Sequence, residues 1–554
     1  MSDQTADDAL RLQDQLEAGR GVWDGHWREV AERVRPNQNN FQQIIRTDGE
    51  KRTERLFDST AVLGLNKYTA AVISLVMPAN QQWHTLQGPE DLADNQEVNR
   101  WLQEVTKLLF RVRYNPHAAF QGQVSECVAD NGAFGNGVLF IDDLVGVGIR
   151  YKAFPLAQTY FCEDAYGRID RVNRKFQYTA HQAASMFGLN NCSDMIKQAY
   201  EKQSQEKFWF LHAVGMNGDY SPGAILHPTK GKKFKSCYID VAARKTMSEG
   251  GFRKFPFAIA RCATSPGEVY GRGPAMDVLP TIKMINEMKK TTIRAAQRAL
   301  EPPLMLSDDA SLQAFSLQGG SLNYGYLGQN GEPLAKPLVS GVKIEIGLDM
   351  MNAEREIIND AFLVTLFRIL VEEPQITATE AMLRAQEKGE LLAPTMGRMQ
   401  TDFCGALIER ELDILAAAGR LPPMPEALLQ YGGEYMVNYT SPLALAQRAG
   451  EGVAILSTIE SLAPMVQIDS TIMQRFDLDG AAKTLAEIKG FPAKHIRSDE
   501  EMTAIKEKAA SEAQAQQLLA AAPVAASAAK DLAQAGSLAA SAPNQVAPNL
   551  GLQP

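Results

Sequence analysis

Two pairs of adjacent carboxyl groups are the first residues in this sequence that could carry out chemistry. Asp142–Asp143 and Glu163–Asp164 could serve as general acid and general base, since that mechanism needs two carboxyl groups in different protonation states. Both pairs lie at the ends of predicted strands, where neighbouring acids are usually solvated turn residues. We therefore favour the structural interpretation and predict no catalytic residue in either pair.

The histidines provide no clearer reaction centre. The seven histidines, which include His181, His212 and His227, stand apart in the sequence without the spacing of metal ligands. Histidine transfers protons near neutral pH, but isolated histidines are more often ordinary surface or core residues. Hydrolase motifs such as HExxH and GxSxG do not occur in the sequence.

Patterns that bind phosphates or metals are equally weak. The sequence has no GxxxxGK(S/T) loop, and Gly132, Gly135 and Gly137 precede a predicted strand instead of the helix that a dinucleotide fingerprint requires. The DLDG segment at 477–480 has its glycine two positions too early for an EF-hand calcium loop. The six cysteines have no CxxC pair, which favours reduced thiols over a disulfide framework; they are Cys127, Cys162, Cys192, Cys237, Cys262 and Cys404. The sequence therefore predicts no enzyme, no cofactor and no metal site.

The overall charge limits the kinds of partner that the protein can bind. With 56 Lys and Arg against 65 Asp and Glu, the 554-residue chain has a net charge of −9. Proteins that grip nucleic acid tightly use clustered cations and are usually basic. Either nucleic acid is irrelevant to this protein, or it slides past without binding strongly. The acidic N-terminus is not a signal peptide, and no run of about 18 apolar residues predicts a membrane span.

Apolar residues at helical spacing predict three helices in the first 115 residues. The first stripe consists of Trp23, Trp27, Val30 and Val34, and it ends at Pro36. The second helix begins at a cap on Asp58 or Ser59, and its stripe consists of Ala61, Leu65, Tyr68, Val72 and Leu75. The third stops before Asn115-Pro116, and its stripe consists of Trp101, Val105, Leu108 and Val112.

A change of pattern at about residue 131 predicts a β-rich region that extends to residue 263. The segment DNGAFGNGVLFIDD has the pattern of a glycine-rich turn that leads into a strand. Short runs of β-prone residues, broken by Gly, Asp and Asn, follow it. A helix is predicted near 179–203, and the remainder is predicted to be a mixed or barrel-like β domain.

Two long helices are predicted in the next part of the chain, at 274–300 and 348–370. The Gly- and Pro-rich segment between them, 301–347, is predicted to contain short strands, including VKIEI at 342–346. The segment VEEPQIT at 371–377 breaks the second long helix.

Further helices follow this break. Thr377 and Glu380 form a capping box that opens one of them. A last apolar stripe ends at Gly419, ahead of two prolines. Beyond about residue 510 the chain is rich in Ala, Gln and Ser, which is typical of a weakly packed tail.

Three segments together resemble a known family. They are RLFDSTAVLGLNKYTAAVISLVMPANQQWHTL at 55–86, YGRGPAMDVLPTIKMINEMKKTTIRAAQRALEPPLML at 270–306 and QITATEAMLRAQEKGELLAPTMGRMQTDF at 375–403. Their FDSTA, GRGP and TATE patterns and the double-proline stop of the second segment resemble the podovirus head-to-tail connecting proteins, which are bacteriophage portal proteins. YTSPLALAQ at 439–447 is similar to a further element of that family. The resemblance runs in the expected order through most of 20–450.

The resemblance implies an α+β, mainly α, portal fold with named parts. These are a wing at 1–263 (helical to about 130, β-rich from 131), stem helices at 264–300 and 348–370, a clip at 301–347, a channel loop at 371–378, wing- or crown-proximal helices at 379–449, and a crown with a low-complexity tail at 450–554.

The resemblance also implies a function. It implies a homo-oligomeric ring of twelve subunits at one capsid vertex of the virion, assembled in the host cytoplasm, through which double-stranded DNA passes non-specifically during packaging and ejection. The implied partners are the terminase, capsid or scaffolding proteins and tail adaptor proteins, without membrane insertion.

Charged residues near the implied channel are candidates for contact with DNA. The basic residues of the first stem helix are Lys283, Lys289, Lys290, Arg294 and Arg298. They either line the channel and hold DNA loosely, or pair with the acidic second stem helix of the same or a neighbouring subunit, which carries Asp349, Glu354, Glu356 and Asp360. In the channel loop, Glu372, Glu373 and Gln375 are candidates for the constriction or are solvated turn residues.

Two other hypotheses fit the composition. The chain could be a different phage structural protein, such as an adaptor or an internal core protein, although neither needs the two long helices at 274–370. It could also be a hydrolase that uses scattered Asp and His residues such as Asp142 and His181.

Overall fold

The structure is a computed structural model that describes most of the chain. The described ranges are 3–38, 49–92, 95–144, 148–224, 229–306, 320–324, 326–328, 330–338, 344–364, 397–466 and 476–488, with single residues 41, 227, 316, 318, 502, 505, 508 and 511. The chain divides into two compact units, Met1–Val453 and Ala454–Pro554. The predicted channel loop, with Glu372, Glu373 and Gln375, lies outside the described residues, as do Thr377, Glu380 and nearly all of the tail after 510.

Four helices begin the first unit: α1 (Gln4–Val34), α2 (Thr60–Val76), α3 (Gln96–Arg113) and α4 (Phe120–Phe134). The first three stand where the apolar stripes predict them. α1 buries Trp27, Val30 and Val34, and its last backbone hydrogen bond runs from the cap residue Arg35, directly before Pro36. Because proline cannot donate the next hydrogen bond, the helix ends there.

The fourth helix extends into a segment that the sequence predicts as a turn. Residues 131–134 form the last turn of α4, and Gly135, with a φ of +76°, caps it in the left-handed conformation. Two residues later, a Cβ on Gly137 would collide with the backbone of Cys127. Gly135 and Gly137 therefore allow the chain to change sharply from helix to strand, and this explains the glycine cluster without a phosphate.

Two antiparallel sheets follow. The first has the order β3-β2-β9 and consists of β2 (Asn136–Leu144), β3 (Gly148–Phe154) and β9 (Phe257–Arg261). The second has the order β4-β5-β6-β7-β8 and consists of β4 (Thr159–Glu163), β5 (Ile169–Thr179), β6 (Lys207–Met216), β7 (Phe234–Asp240) and β8 (Lys245–Phe252). The predicted mixed or barrel-like β domain is therefore wrong, because all pairings in these two sheets are antiparallel and neither strand order closes on itself.

The single helix predicted near 179–203 is also wrong. Two short helices, α5 (Ala180–Phe187) and α6 (Asp194–Glu201), occupy the segment. Thr179 and Gln182 form a capping box that starts α5, and Gly188, with a φ of +79°, ends it.

The first predicted long helix is present with one interruption. It consists of α7 (Pro274–Asp277) and α8 (Leu279–Leu300), which are separated at Val278 just ahead of Pro280. The second is α9 (Ile344–Ala361). It starts before the predicted boundary, so the strand predicted at 342–346 is wrong for residues 344–346. Alternation over only five residues is too short to separate a strand from the first turns of a helix.

The remaining elements complete the described chain. A π-helical turn, Met399–Gly405, leads into α10 (Ala406–Ala417), and α11 (Glu426–Gln430) and α12 (Pro442–Gln447) follow. Two small antiparallel pairs join β1 (His84–Gln87) with β12 (Met436–Tyr439), and β10 (Leu304–Leu306) with β11 (Ala335–Pro337). The last helices are α13 (Ala449–Val466) and α14 (Leu478–Ile488). No described helix combines the length and apolarity that a membrane span requires.

A buried ion pair lies in the core of the first unit. Arg113 of α3 donates to both carboxylate oxygens of Glu411 in α10, at 3.0 and 2.6 Å, and the Tyr151 hydroxyl donates to the same carboxylate. His84 Nε2 lies 3.0 Å from Arg113. Burial, reinforced by the charge of Arg113, lowers the pKa of His84 to about 2, so the imidazole is neutral and accepts this hydrogen bond.

Candidate functional site

The two long helices of the sequence form the candidate site. α8 and α9 pack against each other, and the short pair β10–β11 lies between them in the chain. We call α8 and α9 the stem helices. Their contact agrees with the hairpin that the sequence predicts.

The first stem helix has fully buried side chains in its N-terminal half only. Its N-terminal half buries Ile282, Ile285 and Asn286. Residues 291–300 include no buried position, and Leu300 is 84% exposed. Large apolar residues are exposed along this part and its surroundings: Met284, Ile293, Leu300, Met305, Leu306, Leu338, Leu348, Met350 and Ile357. Because α8 and α9 pack against each other, several of these exposed side chains lie on neighbouring elements, which is typical of a contact with another molecule.

Two of the five candidate DNA-contacting cations are neutralised by acids on α1 or on α8 itself. Lys283 forms an ion pair with Glu29 of α1. Lys290 lies 3.3 Å from Glu287 on its own helix. Neither pair leads to α9, so the predicted pairing with the acidic helix is not how these two lysines are neutralised within the subunit.

Two other candidates are exposed. Arg294 and Arg298 both lie on the C-terminal half of α8, and neither has an ion-pair partner among the described residues. Of the five candidates, they are the two without an acidic partner in the part of the chain that the structure describes.

The fifth candidate, Lys289, belongs to a partly exposed junction centred on the buried carboxylate of Asp58. The Asp58 carboxylate caps α2 by accepting hydrogen bonds from the backbone amide and hydroxyl of Thr60, at 2.9 and 2.5 Å. Its other oxygen accepts from Arg355 of α9 at 2.8 Å and from Lys289 of α8 at 3.3 Å. One carboxylate thus connects α2 with both stem helices. We call this arrangement the Asp58 junction.

Asn286 completes the junction. Its side-chain oxygen accepts hydrogen bonds from the backbone amides of Phe57 and Asp58, at 2.8 and 3.0 Å. Its amide nitrogen donates to the carbonyl of Ile282, one turn earlier in α8. The oxygen of this buried amide therefore holds the segment before α2 against α8, and one of its N–H groups fixes the side chain on α8 itself.

The protonation state of Asp58 follows from these contacts. Burial alone would raise the pKa of Asp58, but the hydrogen bonds from Thr60 and Arg355 and the charge of Lys289 outweigh burial. Together they hold the pKa of this carboxyl well below its ordinary value. Asp58 is therefore ionised wherever the protein is folded near neutral pH.

A close contact next to the junction brings α2 against the end of α9. A Cβ on Gly64 would lie 2.9 Å from the ring of Phe362, and the rings of Tyr68 and Phe362 are 6.4 Å apart. Leu363, which follows, has a φ of +57°, an uncommon conformation for a residue with a side chain. The second stem helix therefore ends where it meets α2.

Sequence patterns identify only part of this site. The FDSTA segment and Lys289 were candidates, but Asn286 and Arg355 were not. The available signals were an asparagine beside Ile282 and Ile285 on the apolar face of α8, and an arginine within the acidic helix α9. A polar residue at a core position usually has a specific hydrogen-bond partner.

The acid pairs serve structural roles in the described chain. Asp164 accepts hydrogen bonds from the amides of Tyr166 and Arg168 in a turn, and Glu163 pairs with Arg261. Asp142 accepts from the amide of Asp143, its neighbour in the sequence. Asp142, Glu163 and Asp164 therefore have structural contacts of their own.

The three histidines singled out in the sequence have structural contacts as well. His212 is buried beside Ser236 at 3.0 Å and stacks on Tyr238, and burial lowers its pKa to about 3. His181 stacks on Tyr200, and His227 accepts backbone hydrogen bonds in a turn. Among the residues that the structure describes, no group of three His, Cys, Asp or Glu side chains could hold a metal.

A cleft of about 1140 Å³ lies between β9, α10 and residues 432–436. Neither Asp142 nor any histidine lines it. Two of its carboxylates are engaged in ion pairs, Glu409 with Lys254 and Asp402 with Arg261. The cleft therefore does not assemble the residues that the hydrolase hypothesis requires.

Comparison with known proteins gives extensive matches. The family model for "Bacteriophage head to tail connecting protein" matches residues 6–496. The chain is 27% identical to a protein of Bordetella phage BPP-1 named "Probable portal protein", over 91% of each chain. It is 26% identical to the portal protein of Salmonella phage epsilon15, over 94% of each chain.

Two solved structures are weakly similar. One is from the neck of an empty GTA particle, with a TM-score of 0.35 and 13% identity over 73% of this chain and 87% of that chain. The other is from the virion of a native gene transfer agent (GTA) particle, with a TM-score of 0.30 and 12% identity over 68% and 90% of the two chains.

The match to the family model covers most of the chain and includes the segments 55–86, 270–306 and 375–403. The α+β, mainly helical class expected from the resemblance is also the class of the described structure. The chain belongs to the bacteriophage head to tail connecting protein family.

Proposed function

We infer that the protein is the portal subunit of a phage. Copies of it would form a ring at one vertex of the capsid, and DNA would pass through the ring during packaging and ejection. The observation that carries this proposal is the pair of stem helices, anchored at the Asp58 junction and exposing apolar residues beyond it. Both phage relatives are named as portal proteins and match along nearly their whole length, which favours this function over an adaptor or internal core protein.

The exposed apolar residues of the stem explain why a ring would form. Ile293 and Ile357 are about half exposed, so burying the rest of each side chain against a neighbouring copy stabilises association by about 0.7–1.5 kcal/mol each. In a cyclic ring the same two surfaces meet at every interface, so one pair of complementary faces closes the assembly. Twelve subunits is the number that the family resemblance implies.

The charges of the stem suit a duplex that must move. Duplex phosphates recur about every 1.7 Å along the axis, and each neutralised phosphate adds to the affinity. Only Arg294 and Arg298 of the five basic stem residues lack a partner among the described residues. A few cations per subunit, in a chain with a net charge of −9, would hold DNA without a preferred register. The role is structural, and no catalytic step is assigned to the chain.

The implied partners follow from this position. They are other copies of the chain, the packaging terminase, capsid or scaffolding proteins and tail adaptor proteins. The assembled subunit would reside in the virion, after assembly in the host cytoplasm.

Negative-stain imaging of the purified protein tests the proposal. We expect rings with a central opening wide enough for a duplex. Compact monomers at all concentrations would contradict it.

A matched pair of variants tests the surface that forms the ring. Ile293→Asp with Ile357→Asp should abolish rings and leave the helical circular dichroism unchanged, because both side chains are about half exposed in the subunit. Val22→Asp, on a side chain that is 88% exposed on α1, is the control and should assemble normally. Ring formation by the double variant would exclude this surface as the interface.

A further inference from the structure

A concentration of positive charge lies at one end of the five-stranded sheet, far along the chain from the stem helices. Residues 229–235 read TKGKKFK and contain four lysines and no acid. Residues 229–233 form the end of the connection between β6 and β7, and Phe234 and Lys235 begin β7. Arg253 lies beside them, because Phe234 of β7 pairs with Phe252 at the end of β8. We call Lys230, Lys232, Lys233 and Arg253 the basic patch.

The cations of the basic patch are not neutralised within the subunit. None of the four has an ion-pair partner among the described residues, and Lys230, Lys233 and Arg253 are exposed. Lys235, the fourth lysine of the segment, lies 3.2 Å from Glu249 instead. In the same sheet region Lys175 pairs with Glu17, and Arg244 pairs with Asp7. The four cations of the basic patch, in contrast, have no acidic partner in the part of the chain that the structure describes.

The backbone that carries these lysines is held in place. The side chain of Asn217 donates hydrogen bonds to the carbonyls of Thr229 and Lys232, at 3.0 and 2.9 Å. The amide of Asn217 donates to the carbonyl of Lys233, and the amide of Ser221 donates to the carbonyl of Lys230. Because these carbonyls are used inside the connection, the lysines extend from a fixed base and lose little backbone entropy on binding.

We propose that the basic patch binds the phosphate backbone of duplex DNA, as a second DNA contact outside the channel. Lysine is a flexible point charge that suits phosphates without reading base sequence. Protein–protein interfaces are depleted in lysine and usually have an apolar centre, which favours DNA over an acidic protein as the occupant. The proposal rests on the proposed function only in taking duplex DNA as the polyanion that this protein meets.

Covalently closed circular duplex separates this contact from the channel, because a closed circle cannot thread through a closed ring. Its affinity for the full-length protein is measured by fluorescence or filter binding between 50 and 200 mM salt. Three phosphate contacts contribute a slope of about −2.7 to the dependence of log affinity on log salt. Lys230→Gln with Lys232→Gln and Lys233→Gln should therefore make the slope less steep by about 2.7. Over this salt range the wild type should lose about 40-fold more affinity than the variant.

A second triple variant controls for the change in charge. Lys67, Lys107 and Lys202 are exposed lysines on other elements, and replacing all three by Gln should leave the slope within one unit of wild type. An equal loss in both variants, or no loss in the patch variant, would overturn the proposal. Unchanged DNA binding combined with lost rings would overturn it as well, and would assign the patch to a contact between copies.

Imaging the same preparations keeps the two hypotheses separate. If the wild type forms rings, and the patch variant also forms rings but shows the weaker salt dependence of DNA binding, the portal function and the basic patch are both supported. Absence of rings in the wild type contradicts the portal function, whereas the slope still decides the basic patch.

Discussion

Removing the negative charge of Asp58 should loosen both stem helices while leaving the rest of the fold in place. Asp58→Asn keeps the size of the side chain and the oxygen that caps α2, but it replaces the oxygen that accepts from Arg355 and Lys289. The two cations would then face an amide group instead of a carboxylate. Since the Asp58 side chain is only 2% exposed, water cannot fully replace the lost acceptor.

The size of the effect follows from the exposure of the partners. A hydrogen bond to a charged group contributes about 1.5–3 kcal/mol when it is buried. The side chains of Arg355 and Lys289 are 30% and 36% exposed, so solvent screening reduces their share to about 1–2 and about 0.5–1 kcal/mol. Asp58→Asn should therefore lower the free energy of unfolding of the stem region by about 1.5–3 kcal/mol. Asp58→Ala should cost about 1 kcal/mol more, because the cap of α2 is also lost.

Hydrogen–deuterium exchange followed by mass spectrometry measures the loss of stability in each segment separately. A local measurement is needed because a large chain does not unfold in one step. Peptides from α8 and α9 should exchange faster in Asp58→Asn by about 10- to 100-fold, and peptides from the five-stranded sheet should not change. Glu287→Gln is the control on the same helix, since its exposed pair with Lys290 contributes about 0–1 kcal/mol.

The effect should also depend on pH. The pKa of Asp58 is lower in the folded protein than in the unfolded chain, so acid protonates the unfolded chain first and favours unfolding. The difference between wild type and Asp58→Asn should be full above about pH 5 and should shrink as the pH falls below about 4. Equal exchange in Asp58→Asn and Glu287→Gln, or a difference that does not change with pH, would refute the role assigned to this carboxylate.

Two other changes have expected outcomes. Glu411→Ala should destabilise the first unit by about 3–5 kcal/mol, because it leaves Arg113 buried without a counter-charge. Replacing both residues by Leu and Met should cost much less. Thermal unfolding of the wild type and these variants tests this, and equal losses of stability in the single and double variants would contradict it. Arg294→Glu with Arg298→Glu should reduce the DNA retained per particle more than it reduces ring assembly, because both side chains are exposed and have no acidic partner among the described residues. Equal losses of DNA and rings would instead indicate a contact between subunits.

Local signals in the sequence predicted the elements that depend on local physics. The stripe of Trp27, Val30 and Val34 and the stop at Pro36 define the end of α1, because helical period and the missing proline amide act within a few residues. The motifs at 55–86 and 270–306 likewise indicated the family, and the family model matches both segments. Predictions failed where short patterns fit two structures, as at 344–346, and where one glycine decided a boundary, as Gly188 does between α5 and α6.

Tertiary structure alone decided how the site is assembled. Asp58 meets Lys289 and Arg355 across 231 and 297 residues of sequence, and Arg113 meets Glu411 across 298. A charge has no periodic pattern that names its partner, and burial determines whether the pair is strong or merely solvated. The sequence therefore determined that two long helices carry basic and acidic residues. Only packing decided which of those charges hold the stem to α2 and which remain free for another molecule.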